Sequence, residues 1–334
     1  MKPSNRLLEL DCLRGIAALS VVLFHFTFGY DNGNHMLDPS KFYFTYGRMG
    51  VQLFFIISGF VIFMTLSKTK NIFNFIITRF SRLYPAYWIC ILLTILITTL
   101  ISPPIHIYTI KQVLFNFTMF QYAFFIKDID GAYWTLFVEL SFYIVMGLLF
   151  KFNQLKNIQL ICFGWLLLCL LFYFFKIPSG NYIKVLLLLR QAPLFISGIG
   201  FYFLFSTQKI KYLFLILLGL ITYLIIVQEY KPDINQLIIL LFIYVTMYLF
   251  VIGKLKFIIL KPFLFLGKVS YPLYLIHEEV GSTIIFWLKK VLDFQLFYVP
   301  ITITLVISIA FLIHKYVEKP SLDYIRSYFL KNSN

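Results

Sequence analysis

The chain has 334 residues, 60% of them hydrophobic and 20% aromatic with only 13% charged, and a mean hydropathy of +0.86; this excludes a soluble domain and implies a polytopic membrane protein. The net charge of +15 comes from basic residues scattered singly and in pairs between apolar runs, which argues against a nucleic-acid partner and leaves those residues to orient the spans. Cys12, Cys90, Cys162 and Cys169 all fall in or beside apolar runs, spaced for neither a zinc site nor a disulfide framework, so they are expected to pack.

Apolar runs long enough to cross a hydrocarbon core of about 30 Å lie at 12–29, 49–66, 83–102, 132–150, 158–176, 184–205, 212–228, 235–252, 268–287 and 295–315. The expected fold is therefore all-α with about ten transmembrane helices. The first run has no small-residue cleavage site after it and reads as a retained helix rather than a signal peptide.

That first run, "LDCLRGIAALSVVLFHF" at 10–26, carries Arg14 and His25. Eleven residues at 100° each come to about three turns, which puts the two on one face roughly 16 Å apart along the axis. Ala18 and Val21 or Val22 between them leave space for a slender guest, and Asp11 sits one turn before Arg14, where it can pair with it. Arg14 alone reads as an interfacial anchor; the pair on one face reads as two ends of a pathway.

The second run, "RMGVQLFFIISGFVIF" at 48–63, places Gln52 and Gly59 on one face with Ser58 beside them, and Ser58 and Gly59 are expected to serve helix packing. At 78–88, "TRFSRLYPAYW" sets Arg79 and Arg82 side by side, two guanidinium forks suited to a polyphosphate or simply to anchoring. The stretch 111–126 is apolar, yet a crossing there would reverse every later loop and put Lys254, Lys256, Lys261 and Lys268 outside, so it is expected to be re-entrant or interfacial. In "YWTLFVELSFY", 133–143, Glu139 lies within a span one turn from Tyr143; in "GKVSYPLYLIHEEVG", 267–281, His277 and Glu278 lie midway along another, one turn from Tyr274. Ionisable groups at such depth are functional candidates, for proton chemistry or hydroxyl binding, with a structural hydrogen-bond network as the competing reading.

With a cytoplasmic N-terminus, 19 of the 29 Lys and Arg fall on the inner side, as the positive-inside rule requires. Both termini are then cytoplasmic, residues 1–320 form a single transmembrane domain, and 321–334 form a short tail. No internal repeat is visible. The outer loops 30–48 and 103–131 hold Tyr43, Phe44, Tyr46, Tyr108 and Tyr122, suited to stacking on sugar rings or to anchoring among lipid headgroups.

Six pieces in order, "LDCLRGIAALSVVLFHF", "GVQLFFIISGF", "FIITRFSRLYP", "YWTLFVELSFY", "GKVSYPLYLIH" and "YVEKP", span residues 10–320 and resemble the acyltransferase-3 family of integral membrane acyltransferases. The resemblance implies transfer of an acyl group, most often acetyl, from cytoplasmic acyl-CoA to a hydroxyl of a cell-surface glycan or lipid-linked precursor, in a bacterial inner membrane and with no metal. It marks His25 as the family's essential histidine, Arg14 as its basic partner, Arg79 and Arg82 as the pair associated with the acyl donor and Glu139 as the segment's acid. With Arg14, Arg79 and Arg82 expected on the CoA phosphates, His25 is expected to act as general base on the acceptor hydroxyl, transient acylation of a residue being the alternative, and Glu139 to take a catalytic role, orienting the histidine or binding the sugar. Gln52, Tyr274 and His277 line the acceptor side, with His277 the reserve base. One departure stands out: the family usually reads "GVDLFF" where this chain has Gln52, removing a carboxylate that could have tuned His25. A proton-coupled transporter using the intramembrane His and Glu is the main rival, although the sequence lacks the paired, broken helices expected of one.

Overall fold

In hydrocarbon every backbone N–H and C=O must be bonded within the protein, which leaves helices for these apolar runs. The computed structural model describes residues 7–29, 43–101, 107–176 and 181–330. Lys2, Arg6, Lys41 and Lys331 of the charge balance lie outside these residues, as does part of each outer loop. The helices are α1 (Leu8–Phe24), α2 (Gly50–Leu66), α3 (Ile72–Ile101), α4 (Ile110–Phe117), α5 (Trp134–Lys151), α6 (Ile158–Phe174), α7 (Asn181–Leu186), α8 (Ala192–Thr207), α9 (Leu213–Val227), α10 (Ile234–Val251), α11 (Lys261–Val291), α12 (Tyr298–Ile313) and α13 (Lys319–Leu330), with no strand among the described residues. Among the described residues, eight helical stretches are long and apolar enough to cross a membrane, and the chain is an all-α polytopic membrane protein. The two remaining expected spans fall on α8, a shorter apolar helix, and on the 31-residue α11, whose middle carries charge.

One boundary differs from expectation. Residues 184–205 read as one run, but the helix breaks between α7 and α8. Leu188 adopts a left-handed φ of 52°, and Pro193 opens α8 without a backbone N–H to give. Trp165 Nε1 donates to the Leu187 carbonyl at 2.8 Å in the break. Helix α4, by contrast, has eight residues, about 12 Å, too short to cross, in keeping with the non-crossing reading of 111–126.

The chain divides into two compact units. The first comprises Met1–Leu10, Val51–Ile76 and Val138–Ile259. In it α8 packs on α6, α9 and α10; Phe195 stacks on Phe142 with ring centroids 4.1 Å apart, and the bare backbone of Gly59 lies against that of Phe195. Small residues let helices approach closely where lipid offers no hydrophobic drive. Buried Ser197 donates to the Pro193 carbonyl at 2.9 Å and meets the Tyr244 hydroxyl at 2.8 Å.

The second unit comprises Asp11–Gly50, Ile77–Phe137 and Leu260–Asn334. Helix α11 packs along α12 and against the turns 25–29 and 131–133. It meets α1 where a methyl on Gly15 would lie 2.6 Å from the Gly267 nitrogen and 2.8 Å from the Phe263 carbonyl, so the glycines of "CLRG" and "FLGKVSYP" mark one tight crossing. Fully buried Asn116 pins the segment after α4: its Oδ1 accepts from Ile129 N at 3.0 Å, and its backbone carbonyl accepts from Tyr87 Oη at 2.8 Å.

Candidate active site

Helix α1 ends at Phe24, and His25 opens a wider π-type turn over His25–Gly29, a local widening common at functional sites. Thr27 holds the turn: its hydroxyl donates to the Leu23 carbonyl at 2.6 Å and accepts from Phe44 N at 3.0 Å. The His25 ring is thereby presented to α11, where consecutive residues straddle it. His277 meets it edge-on at 4.9 Å between centroids, and Glu278 Oε1 lies 3.6 Å from His25 Nδ1.

His277 is completely buried. Its Nδ1 lies 2.7 Å from the Tyr274 carbonyl; because a carbonyl only accepts, Nδ1 carries a proton, and in the neutral ring Nε2 keeps its lone pair. That Nε2 and Glu278 Oε2 are buried without a hydrogen-bond partner among the described residues, in a fold where buried polar atoms are normally satisfied. The Tyr274 hydroxyl pairs with Thr135 at 2.9 Å.

The turn leading into α5 supports Glu278. Asp130, buried, accepts from Ala132 N through Oδ1 and from Glu279 N through Oδ2, each at 3.0 Å, tying this turn to the middle of α11. Burial pushes Asp130 well above the usual carboxylate range, with Glu278 and Glu279 adding to the rise. Gly131 then leaves the space that the Glu278 carboxylate occupies: a methyl there would lie 2.7 Å from Cδ and 2.8 Å from Oε2. Nearby, burial pushes Asp128 up to about 6, opposed by a hydrogen bond from Gln121.

Ligand atoms of His25, His277 and Glu278 lie within 4.8 Å of one another. Three such groups around one point can pass a proton to or from a polar guest, and their donor types are also those that bind a metal ion.

Arg14 Nη1 is 3.9 Å from Asp11 Oδ1, the expected pair. Arg79 is buried and Arg82 half-buried on α3. Glu139 belongs to the first unit, where it accepts from Ser58 at 3.0 Å and from the Tyr143 hydroxyl, and Gln52 Nε2 donates to the Tyr223 hydroxyl at 3.3 Å. The sequence marks Glu278 beside His277 as a candidate without giving it a role, and it gives no prominence to Asp130 or Gly131. The double acid in "IHEEVG" and the "DGAYW" turn were the available signals.

Residues 7–315 match the acyltransferase-3 family, described as an acyltransferase domain. The chain is 29% identical to nodulation protein 10 of Rhizobium leguminosarum bv. viciae over 164 residues, 42% of this chain and 43% of that one, so it covers less than half of that relative. It is 26% identical over 292 residues to a protein of Acidianus two-tailed virus named "Putative acetyltransferase ORF330", covering 79% of this chain and 80% of that one. No solved structure matches.

Proposed function

The chain belongs to the acyltransferase-3 family, and we propose that it moves an acyl group, acetyl in the first instance, from cytoplasmic acyl-CoA to a hydroxyl of a cell-surface glycan or its lipid-linked precursor in a bacterial inner membrane. The observation that carries the reading is the His25–Glu278 pair, 3.6 Å apart, beside a buried His277. With its Nδ1–H toward Glu278, His25 offers Nε2 as the base. The acceptor hydroxyl gives its proton to Nε2 as its oxygen attacks the thioester carbonyl. The C–S bond then breaks, and the thiolate leaves as CoA, taking the proton back from the imidazolium. Glu278 orients the ring and stabilises its charged form, the part a carboxylate plays behind a catalytic histidine. Arg14, Arg79 and Arg82 hold the donor's phosphates, and both termini face the cytoplasm. Tyr274, one turn before His277, serves the acceptor.

The test is purified protein in nanodiscs given radiolabelled acetyl-CoA and surface glycan from the expression host. Wild type should release free CoA and label the glycan, with His25→Gln at least 100-fold slower. Solute uptake without CoA release would favour a transporter, and an unimpaired His25→Gln would remove the histidine from the mechanism.

A further inference from the structure

Proton transfer through His25 leaves two atoms of this site unused. His277 Nε2 and Glu278 Oε2 are buried with no hydrogen-bond partner among the described residues, and a buried polar atom is costly until something fills the position. The His277 ring is set for one kind of partner. Its Nδ1–H donates to the Tyr274 carbonyl at 2.7 Å, which leaves the Nε2 lone pair as the ring's ligand atom. A metal-binding histidine is held in this way, its second ring nitrogen donating to a carbonyl or a carboxylate.

His25 and Glu278 complete the set. The ligand atoms of all three residues lie within 4.8 Å of one another, inside the second compact unit. Between His25 Nδ1 and Glu278 Oε1 the 3.6 Å separation is already near the roughly 3.4 Å that bonds of 2.0–2.1 Å set between two ligands of a tetrahedral zinc ion. His25 and Glu278 are only half-buried, so both can turn inward over the remaining distance toward His277, which Tyr274 holds in place. Two imidazoles and one carboxylate suit a borderline-soft divalent ion, and three protein ligands leave a tetrahedral ion one open position.

We propose that His25, His277 and Glu278 form a binding site for one divalent cation of the zinc class, and that filling it switches off acyl transfer. A metal ion on His25 Nδ1 leaves the ring's proton on Nε2, and a nitrogen bearing that proton has no lone pair to take another from the acceptor hydroxyl. The cation and the base therefore exclude each other. Such a site departs from the metal-free expectation that came with the family resemblance. The site stands on the geometry of the three side chains; the switch rests on His25 as the base, the reading given above.

The experiment titrates zinc, and cobalt(II) as its spectroscopic stand-in, into tag-free, chelator-stripped full-length protein in phosphatidylcholine nanodiscs. Wild type should bind one ion, with the strong visible absorption of four-coordinate cobalt. His277→Gln, Glu278→Gln and His25→Gln should each weaken binding by about 100-fold or more, beyond the effect of losing an outer-shell partner. His314→Gln, which removes the ring paired with Glu318 at 2.7 Å, should bind as wild type does. If the buried His277 variant does not fold, the half-buried His25 and Glu278 variants carry the same test. Zinc should stop acetyl transfer at the concentrations that fill the site, and a chelator should restore it. No binding by wild type, or binding that survives in all three variants or follows His314, overturns the proposal; binding at the three residues with transfer undiminished overturns the switch. If wild type transfers nothing even without zinc, the acyl-transfer reading falls, and zinc binding still decides the site by itself.

Discussion

Gly131→Ala separates catalysis from folding at this site. A methyl at position 131 would lie 2.7 Å from Glu278 Cδ, where ordinary contacts begin near 3.4 Å, so the carboxylate has to move by roughly 1 Å. Because the obstructed group is the tip of a flexible side chain, the fold absorbs the change, and Gly131 has no left-handed φ that would strain an alanine. The His25–Glu278 separation of 3.6 Å does not survive such a shift, and a misplacement of about 1 Å in a catalytic group costs on the order of 100-fold. Steady-state turnover of acetyl-CoA by the purified variant should show kcat reduced 10- to 100-fold, with KM for acetyl-CoA and the melting temperature near wild type. A wild-type kcat would refute the pairing of Glu278 with His25, and a loss of kcat that tracks a loss of melting temperature would reduce Gly131 to a packing residue.

Glu278→Gln keeps the shape and removes the charge; kcat should fall about tenfold, and wild-type turnover would mean that the carboxylate's charge is not used. Gly15→Ala drives a methyl into backbone atoms of Gly267 and Phe263, which cannot yield as a side-chain tip does, so thermal unfolding in detergent should show a loss of about 1–3 kcal/mol; an unchanged melting temperature would mean that α1 and α11 separate freely. Asp128, whose carboxyl is pushed up to about 6, lowers stability as pH rises through the window between its unfolded value near 4 and 6, because the folded state holds its proton longer. Asp128→Asn keeps an acceptor for the 2.7 Å bond from Gln121 Nε2, so it should match wild type below pH 4 and be more stable at pH 7 by roughly 1–3 kcal/mol. Equal melting temperatures at both pH values would contradict the shift.

What lies within one helix was legible in the chain. The apolar runs became helices, Asp11 met Arg14, Tyr143 met Glu139, and Tyr274 met His277 one turn away. Each follows from the 3.6-residue repeat, which fixes neighbours on a face wherever the rest of the protein lies. Where that rule met a competing local feature it gave way, as at Leu188 and Pro193, which split the expected run 184–205.

The sequence by itself determined a membrane protein of apolar helices, the family it belongs to, and His25 as a residue out of place in lipid. Only the tertiary structure decided that Glu278 and His277 would straddle that histidine and that Gly131 would make room for the carboxylate. Lipid is as apolar as the side chains facing it, so no hydrophobic bias chooses which faces of different helices meet. Shape and hydrogen bonding at close crossings choose instead, such as the one at Gly15 and Gly267 and the Asp130 link to Glu279. These are relations between residues more than a hundred positions apart, which no local pattern encodes.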